Sequence, residues 1–106
     1  MGVIASRLKQ ARLSSGLSQE RLGLASGLDE MSASARMNRY ETGARTPNPM
    51  LVERFAEALR LPAAFFYAED DREADLLVRF HRLDDTQKKS LLDTLEAIEN
   101  GESIFR

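Results

Sequence analysis

Short apolar stripes at helical spacing recur along the whole chain, and residues that start or end helices separate them. Ser18 is placed to cap the start of one helix, and Asn48-Pro49 to begin another. Asp84 and Gln87 have the spacing of a capping box before the last stripe. The sequence shows no internal repeat and no convincing strand, so it predicts an all-α fold.

The predicted helices lie on either side of a polar break at residues 69–71, which is the best domain boundary in the chain. A domain over residues 1–68 is expected to hold five short helices, at about 3–14, 19–26, within 32–41, from 49 onward and at 63–67. The apolar stripe of the first helix leaves Arg7 outside it, and the stripe of the second continues through Leu22 and Ala25. In the third helix, Ala33, Met37 and Tyr40 fall on one side. A C-terminal segment over 69–106 is expected to form a helical hairpin or tail. Its two apolar stripes comprise Leu76, Leu77, Phe80 and Leu83, then Leu91, Leu92, Leu95 and Ile98.

Charge is divided unevenly along the chain, although the net formal charge is only -2. Residues 1–60 carry nine arginines and lysines against six acids, and residues 61–106 carry six against eleven. Eight of the nine cations in the first part are arginine, which suits bidentate contacts to phosphate and guanine. A basic part beside an acidic one fits a nucleic-acid-binding module with an appendage that does not touch nucleic acid.

Several classes of protein are disfavoured by what the sequence lacks. It has no cysteine and a lone histidine, His81, so neither a disulfide framework nor a metal site is predicted. No apolar run approaches the roughly 20 residues of a membrane span, and the N-terminus has no signal-peptide core, so a cytoplasmic protein is expected. No glycine-rich phosphate loop or nucleophile elbow is found. No catalytic residue and no cofactor is therefore predicted.

An ordered set of short motifs covers residues 4–67. Each motif is weak alone, but together they stand in an order that resembles the helix-turn-helix family of phage lambda-type repressors and Cro, also called the xenobiotic-response-element family. The residues that carry this resemblance are Arg7-Leu8-Lys9, the GLSQERL run from Gly16 to Leu22, the NRYETG run from Asn38 to Gly43, Asn48-Pro49, and Leu51, Phe55, Ala56, Ala58 and Leu59.

The resemblance implies a five-helix, lambda-repressor-like domain that binds duplex DNA. Its second helix would cross the DNA backbone, and its third, within residues 32–41, would lie in the major groove as the recognition helix. The residues implied to contact bases or phosphates are Ser18, Gln19, Ser34, Ala35, Arg36, Asn38, Arg39, Arg45 and Thr46. These residues also have plain structural interpretations, such as a helix-start residue for Gln19 and a solvated surface cation for Arg39.

The chain departs from the family pattern at three places. Twelve residues separate Gly27 from Tyr40, where about eight are usual, so either the turn before the third helix is longer or that helix starts earlier. Gly23 replaces an alanine where the second and third helices pack closely, and Arg60 replaces the glycine that ends the fourth helix. The added residues lie within 28–34 and leave the register of the base-contacting positions open.

Two hypotheses about function remain open on the sequence alone. The first is a transcription regulator, expected to be a repressor, that binds a palindromic operator as a homodimer. The second is an antitoxin or other interaction module whose partner protein binds the C-terminal helices. Three surfaces could cover the apolar stripes of 69–106: a second copy of the chain, another protein, or the aromatic residues Phe65, Phe66 and Tyr67 of the same chain.

Overall fold

The computed structural model of the chain describes residues 2–101, which form six α-helices and one 3₁₀ helix and contain no strand. The predicted all-α fold is confirmed. The elements are α1 (Val3–Ser15), α2 (Gln19–Ala25), α3 (Ala33–Thr42), α4 (Pro49–Leu59), the 3₁₀ helix (Ala63–Tyr67), α5 (Asp71–His81) and α6 (Asp85–Glu99). None of the helices described is long and apolar enough to cross a membrane.

Helix starts follow the capping residues in the sequence. The Ser18 hydroxyl accepts a hydrogen bond from the first turn of α2 at 3.0 Å, and the Asn48 side chain accepts one from the first turn of α4 at 2.8 Å. At the start of α6, the Gln87 amide donates to the Asp84 carboxylate at 2.7 Å, and the Asp84 amide donates to the Gln87 side chain at 3.1 Å. These bonds satisfy amide groups that the first turn of a helix otherwise leaves unpaired. All three caps are confirmed.

Left-handed residues end three of the helices. Gly16 ends α1 with φ of 76°, and Gly43 ends α3 with φ of 83°. Arg60 ends α4 with φ of 56°, at the position where the family pattern has glycine. A residue with a Cβ costs roughly 1 kcal/mol in this conformation relative to glycine. α4 therefore ends where the family pattern predicts, but arginine stabilises this helix end less than glycine would.

The core of the first domain is built from α1–α4 and the 3₁₀ helix. Its largest fully buried side chains are Leu8, Leu22, Met37, Val52, Phe55 and Phe66. Phe66 comes from the 3₁₀ helix, which packs against α1, α4 and α5. Because all five elements contribute to one core, the position of α3 is set jointly by the others.

The added residues before α3 lengthen the turn and do not extend the helix. α2 ends at Ala25 and α3 begins at Ala33, which leaves residues 26–32 between them. Gly27 takes a positive φ of 86°, and the following Leu28 is buried in the core. The turn is therefore held to the domain at its start, and α3 keeps one face toward the core.

Glycine at position 23 suits the close approach of α2 and α3. A Cβ added there would lie 3.0 Å from the Ala33 Cβ, 3.1 Å from the Met37 Cγ and 3.3 Å from the Ala33 carbonyl oxygen. The first of these contacts is shorter than side-chain carbons in a packed core normally make. The alanine of the family pattern would therefore be crowded against α3.

Two residues of the first domain lie where the sequence pattern does not place them. Ala25, expected in the buried stripe of α2, is exposed because α2 ends there. Arg7, expected on the outer side of α1, is only 6% exposed. The Arg7 guanidinium donates to the backbone carbonyl groups of Ala68 and Glu69. Its N–H groups therefore have hydrogen-bond partners although the side chain is buried.

The C-terminal segment is an extended tail, because α5 and α6 do not pack side by side as a hairpin. α5 packs on the 3₁₀ helix through Ala74, which is buried, and through Leu77 and Val78, which are partly buried. α6 has no buried residue. Residues 2–101 consequently extend 58 Å along their longest axis, against 26 and 23 Å across it.

The two apolar stripes of the tail have different surroundings. The stripe of α5 is partly covered by the first domain, although Leu76 remains 46% exposed. The stripe of α6 is exposed to solvent, with Leu92 54%, Leu95 37% and Ile98 53% accessible. The aromatic residues at 65–67 therefore do not cover α6.

Candidate nucleic-acid interface

The third helix has one buried face and one exposed face. Ala33, Met37 and Tyr40 are buried against the core, as the periodicity predicts. The opposite face consists of Ser34, Ala35, Asn38 and Arg39, all of which are exposed. These side chains are small, polar or cationic, so this face can approach a DNA groove closely and offer hydrogen-bond donors to base edges.

Arg36 lies at the flank of that exposed face. Its Nη2 donates to the Tyr40 hydroxyl at 2.9 Å, and its Cζ lies 5.8 Å from the centre of the Tyr40 ring. Arg36 is partly buried, whereas Arg39 is exposed. Of the two arginines, Arg39 is therefore the more accessible, and Arg36 lies at the edge of the exposed face.

Ser18 and Gln19 stand together at the start of α2. The Ser18 hydroxyl accepts a hydrogen bond as the helix cap, which leaves its own hydrogen available to donate. Gln19 is partly buried, and its Nε2 donates to a Glu41 carboxylate oxygen at 3.3 Å. Because Glu41 belongs to α3, this bond fixes the position of the Gln19 amide relative to the exposed face of α3.

A buried ion pair connects α1 to the same carboxylate. Arg12 donates to both oxygens of Glu41, at 2.6 and 3.0 Å, and Glu41 is 2% exposed. The hydrogen bonds with Glu41 raise the pKa of Arg12, burial opposes that rise, and the attraction between the two charges adds to it. Arg12 also donates to the Leu17 carbonyl at 3.0 Å. Glu41 thereby joins α1, the start of α2 and α3.

The loop after α3 turns back toward that helix. The Arg45 amide donates to the Arg39 carbonyl at 3.2 Å, and Gly43 provides the positive φ that the turn needs. Arg45 and Thr46 are both exposed. The backbone bond places Arg45 beside the last turn of α3, so Arg39 and Arg45 belong to one cationic surface.

The folded chain thus brings the nine predicted contact residues into one region, made of the start of α2, the exposed face of α3 and the loop after it. Residues 3–64 match a family described as a helix-turn-helix domain. The chain belongs to this helix-turn-helix family. It is also similar to the crystal structure of transcriptional regulator BswR, with 38% sequence identity and a TM-score of 0.86 over 93% of this chain and 98% of that one. Comparison with curated protein sequences gives no match.

This helix-turn-helix protein is a DNA-binding transcription regulator, and its family and fold are those of non-enzymatic proteins. Within residues 2–101 no group of three or more carboxylate or histidine side chains is placed to hold a metal ion.

Met31 is an exposed apolar residue near the start of α3 that the sequence analysis did not single out. It lies in the long turn before α3, and it is 93% exposed. The Asp29 carboxylate accepts a hydrogen bond from the Met31 amide at 3.1 Å, and the Ser32 amide donates to the Asp29 carbonyl at 3.1 Å. Met31 lies two residues before Ala33, the first residue of α3, so the turn brings it close to the start of that helix. An apolar residue within a polar turn is the signal that could have identified it.

Proposed function

We propose that this helix-turn-helix regulator binds a specific duplex DNA sequence through α3, with α3 in the major groove. The observation that supports this most is the exposed face of α3, where small side chains stand beside Asn38 and Arg39. A helix about 10–12 Å in diameter fits a major groove about 12 Å wide. Ser34, Ala35, Asn38 and Arg39 would face base edges, and Arg36 would lie at the edge of the contact.

Phosphate contacts are proposed on either side of α3. Ser18 and Gln19 would donate to one phosphate, and Gln19 has one amide hydrogen left for this after its bond to Glu41. Arg45 and Thr46 would contact the backbone beyond the other end of α3. Such contacts set the orientation of the protein on the duplex and carry no sequence information.

The long turn is proposed as an additional contact to bases. The Met31 side chain is uncharged and has no strong hydrogen-bond donor or acceptor. The group in the groove that it would contact favourably is therefore the methyl group of thymine. The adjacent Glu30 is exposed and would repel phosphates. An apolar tip beside an acid is better suited to base edges than to the backbone.

The regulator is proposed to bind DNA as a homodimer, on a palindromic operator. A single recognition helix covers only a few base pairs, and dimers of this kind bind half-sites about 34–36 Å apart. The support in this chain is the apolar stripe of α6, which is exposed along Leu92, Leu95 and Ile98. A second copy that packs its own α6 on this stripe would remove it from water. The homodimer would act in the cytoplasm as a repressor, by occupying DNA that the transcription machinery needs.

Selection of bound duplexes from a random pool, read by sequencing, tests this function. We expect an enriched inverted repeat with half-sites about one helical turn apart. Binding to the selected duplex should weaken steeply with salt, with a log–log slope of about -0.9 for each phosphate neutralised. No enriched sequence, or an affinity that does not change with salt, would contradict DNA recognition through this surface.

A second candidate is an antitoxin or another module whose α6 binds a different protein. The same exposed stripe of α6 favours it, because the stripe itself does not distinguish a second copy from another partner. Light scattering on the purified chain separates the two. A stable dimer supports the homodimeric regulator, and a monomer that forms a defined complex with a co-expressed neighbouring gene product supports the alternative.

A further inference from the structure

One buried arginine, Arg7, connects the DNA-binding helices to the tail. Its Nε donates to the Ala68 carbonyl at 2.8 Å, and its Nη2 donates to the Glu69 carbonyl at 3.1 Å. The same Nη2 lies 3.0 Å from the Asp71 carboxylate. All three acceptors belong to residues 68–71, the junction between the 3₁₀ helix and α5.

The Arg7 guanidinium is also held by the first domain itself. Its Nη1 donates to the Gln10 side chain at 2.9 Å, within α1. Its Cζ lies 5.7 Å from the centre of the Phe65 ring, which belongs to the 3₁₀ helix. Because α1 and the 3₁₀ helix are parts of the core, the guanidinium has a fixed position from which it binds the junction.

Two kinds of contact hold α5 to the first domain, and they constrain it differently. Ala74, Leu77 and Val78 pack on the core through apolar surface, and apolar contact has no preferred direction. The hydrogen bonds of Arg7 prefer a narrow range of distances and angles. Within the junction, Asp70 caps the first turn of α5 by accepting from two of its amides. Arg7 therefore adds a directional restraint on the angle at which α5 leaves the domain, at the point where the chain enters that helix.

We propose that Arg7 is a positioning residue for operator recognition. By fixing the junction, it sets the separation of the two recognition helices in the dimer, and with it the half-site spacing that the dimer accepts. This role rests on the homodimer proposed above. α5 has 11 residues and is about 16 Å long, so a tilt of about 10° at the junction moves the start of α6 by about 3 Å, close to the roughly 3.4 Å rise of one base pair.

The test compares the wild type with Arg7→Gln and Arg7→Lys on two selected half-sites joined at a series of spacings. The control is Arg72→Gln, which also removes one positive charge. Arg72 belongs to α5, and its side chain is 95% exposed. Deforming DNA to fit a wrong spacing costs energy, so we expect the wild type and the control to prefer one spacing by about tenfold or more. Arg7→Gln should lower that preference to about threefold or less, with affinity for a single half-site unchanged.

A second measurement reports the geometry without DNA. The chain has no cysteine, so one cysteine at the exposed position Glu57 of α4 labels each protomer at a single point. Pulsed electron paramagnetic resonance then measures the distance between the two labels in the dimer. We expect a narrow distribution in the wild type and the Arg72→Gln control, and a broad one in Arg7→Gln. Arg7→Lys should be intermediate, because an ammonium group reaches fewer of the acceptors at once.

The outcomes separate this role from a merely structural one and from the dimer itself. A folded Arg7→Gln dimer that keeps the wild-type spacing preference and distance distribution overturns the proposal. If Arg7→Gln does not fold, Arg7→Lys is judged by the same two measurements. A wild type that binds one half-site as tightly as two contradicts dimeric operator recognition, and this role falls with it. Loss of the spacing preference in the Arg7 variants, with the preference kept in the Arg72→Gln control, supports the role.

Discussion

Arg39 and Arg45 lie on the same cationic surface, but they are expected to make different contributions to DNA binding. Arg39 projects from the exposed face of α3, whereas Arg45 lies in the loop that follows. A side chain on the recognition helix can reach base edges, and a loop beside the helix reaches the phosphate backbone. The single hydrogen bond between their backbones keeps these two positions adjacent.

We expect Arg39→Ala to weaken binding to the selected operator by about 1–3 kcal/mol, and to relax preference at one or two base positions. Arg45→Ala should weaken all sequences about equally and lower the salt slope by about one phosphate. Competition binding across single-base variants of the operator measures both effects. If the two results are exchanged, α3 lies in the groove in a register other than the one proposed.

Met31 is expected to distinguish thymine from uracil at one operator position. Replacing a thymine by uracil removes only the methyl group, and the loss should be about 0.8 kcal/mol, the value of one buried methylene. Met31→Ala should bind both duplexes equally, which a cycle of two proteins and two duplexes measures directly. The matched control is Glu30→Gln, which should raise affinity for all sequences and keep the difference between the two bases. If Met31→Ala still binds the thymine duplex more tightly than the uracil duplex, another side chain contacts that methyl group.

At the scale of helices, the close approach of α2 and α3 determines how α3 is presented to DNA. Gly23 allows α2 to lie against Ala33 and Met37, and Glu41 links the far end of α3 to Arg12 of α1. α3 is thus held at both ends by neighbouring helices. Its exposed face keeps a constant orientation as a result.

Gly23→Val is expected to destabilise the protein by about 2 kcal/mol, since the new side chain would overlap Ala33 and force α2 and α3 apart. Ala25→Val is the matched control, because Ala25 lies in the same helix and is exposed, so it should cost only the lower helix propensity of valine, about 0.5 kcal/mol. Urea denaturation of the two variants measures the difference. Equal losses of stability would mean that α2 and α3 can separate at little cost.

At the scale of the whole molecule, residues 2–101 form a compact first domain and a tail whose last described helix, α6, has no buried residue. Such a helix receives little stabilisation from the rest of its own chain, because most helical stability in proteins comes from packing an apolar face. Isolated helices shorter than about 12–15 residues are marginal in water, and α6, with 15 residues, lies at that limit. Its exposed leucines are therefore best explained by a partner surface, which we propose to be a second copy.

A chain that stops at Leu83 should keep the fold and stability of the first domain, because α6 buries nothing against it. It should sediment as a monomer at micromolar concentration and keep its affinity for one half-site. In the full chain, Leu95→Glu should weaken the dimer, whereas Thr86→Glu, on the exposed first turn of α6, should not. A monomeric full-length protein, or a truncated chain that dimerises equally well, would contradict the role of α6.

Local interactions explain what the sequence determined by itself. The caps at Ser18, Asn48 and Asp84 each act within about one helical turn, and the apolar stripes repeat within each helix. The all-α fold and the starts of α2, α4 and α6 could therefore be predicted, and the order of the motifs indicated a helix-turn-helix protein. The inward face of α3 could be predicted as well, since its buried residues follow one period.

Only the tertiary structure decided where the added residues before α3 belong, because the local pattern is equally consistent with a longer turn or a longer helix. The contacts of Gly23 with Ala33 and the burial of Leu28 placed them in the turn. The burial of Arg7 was likewise decided at long range, since its acceptors lie 61 and 62 residues away along the chain. A pattern of charge within one helix carries no information about a carbonyl oxygen that another part of the chain brings to it, so such contacts become visible only in the folded structure.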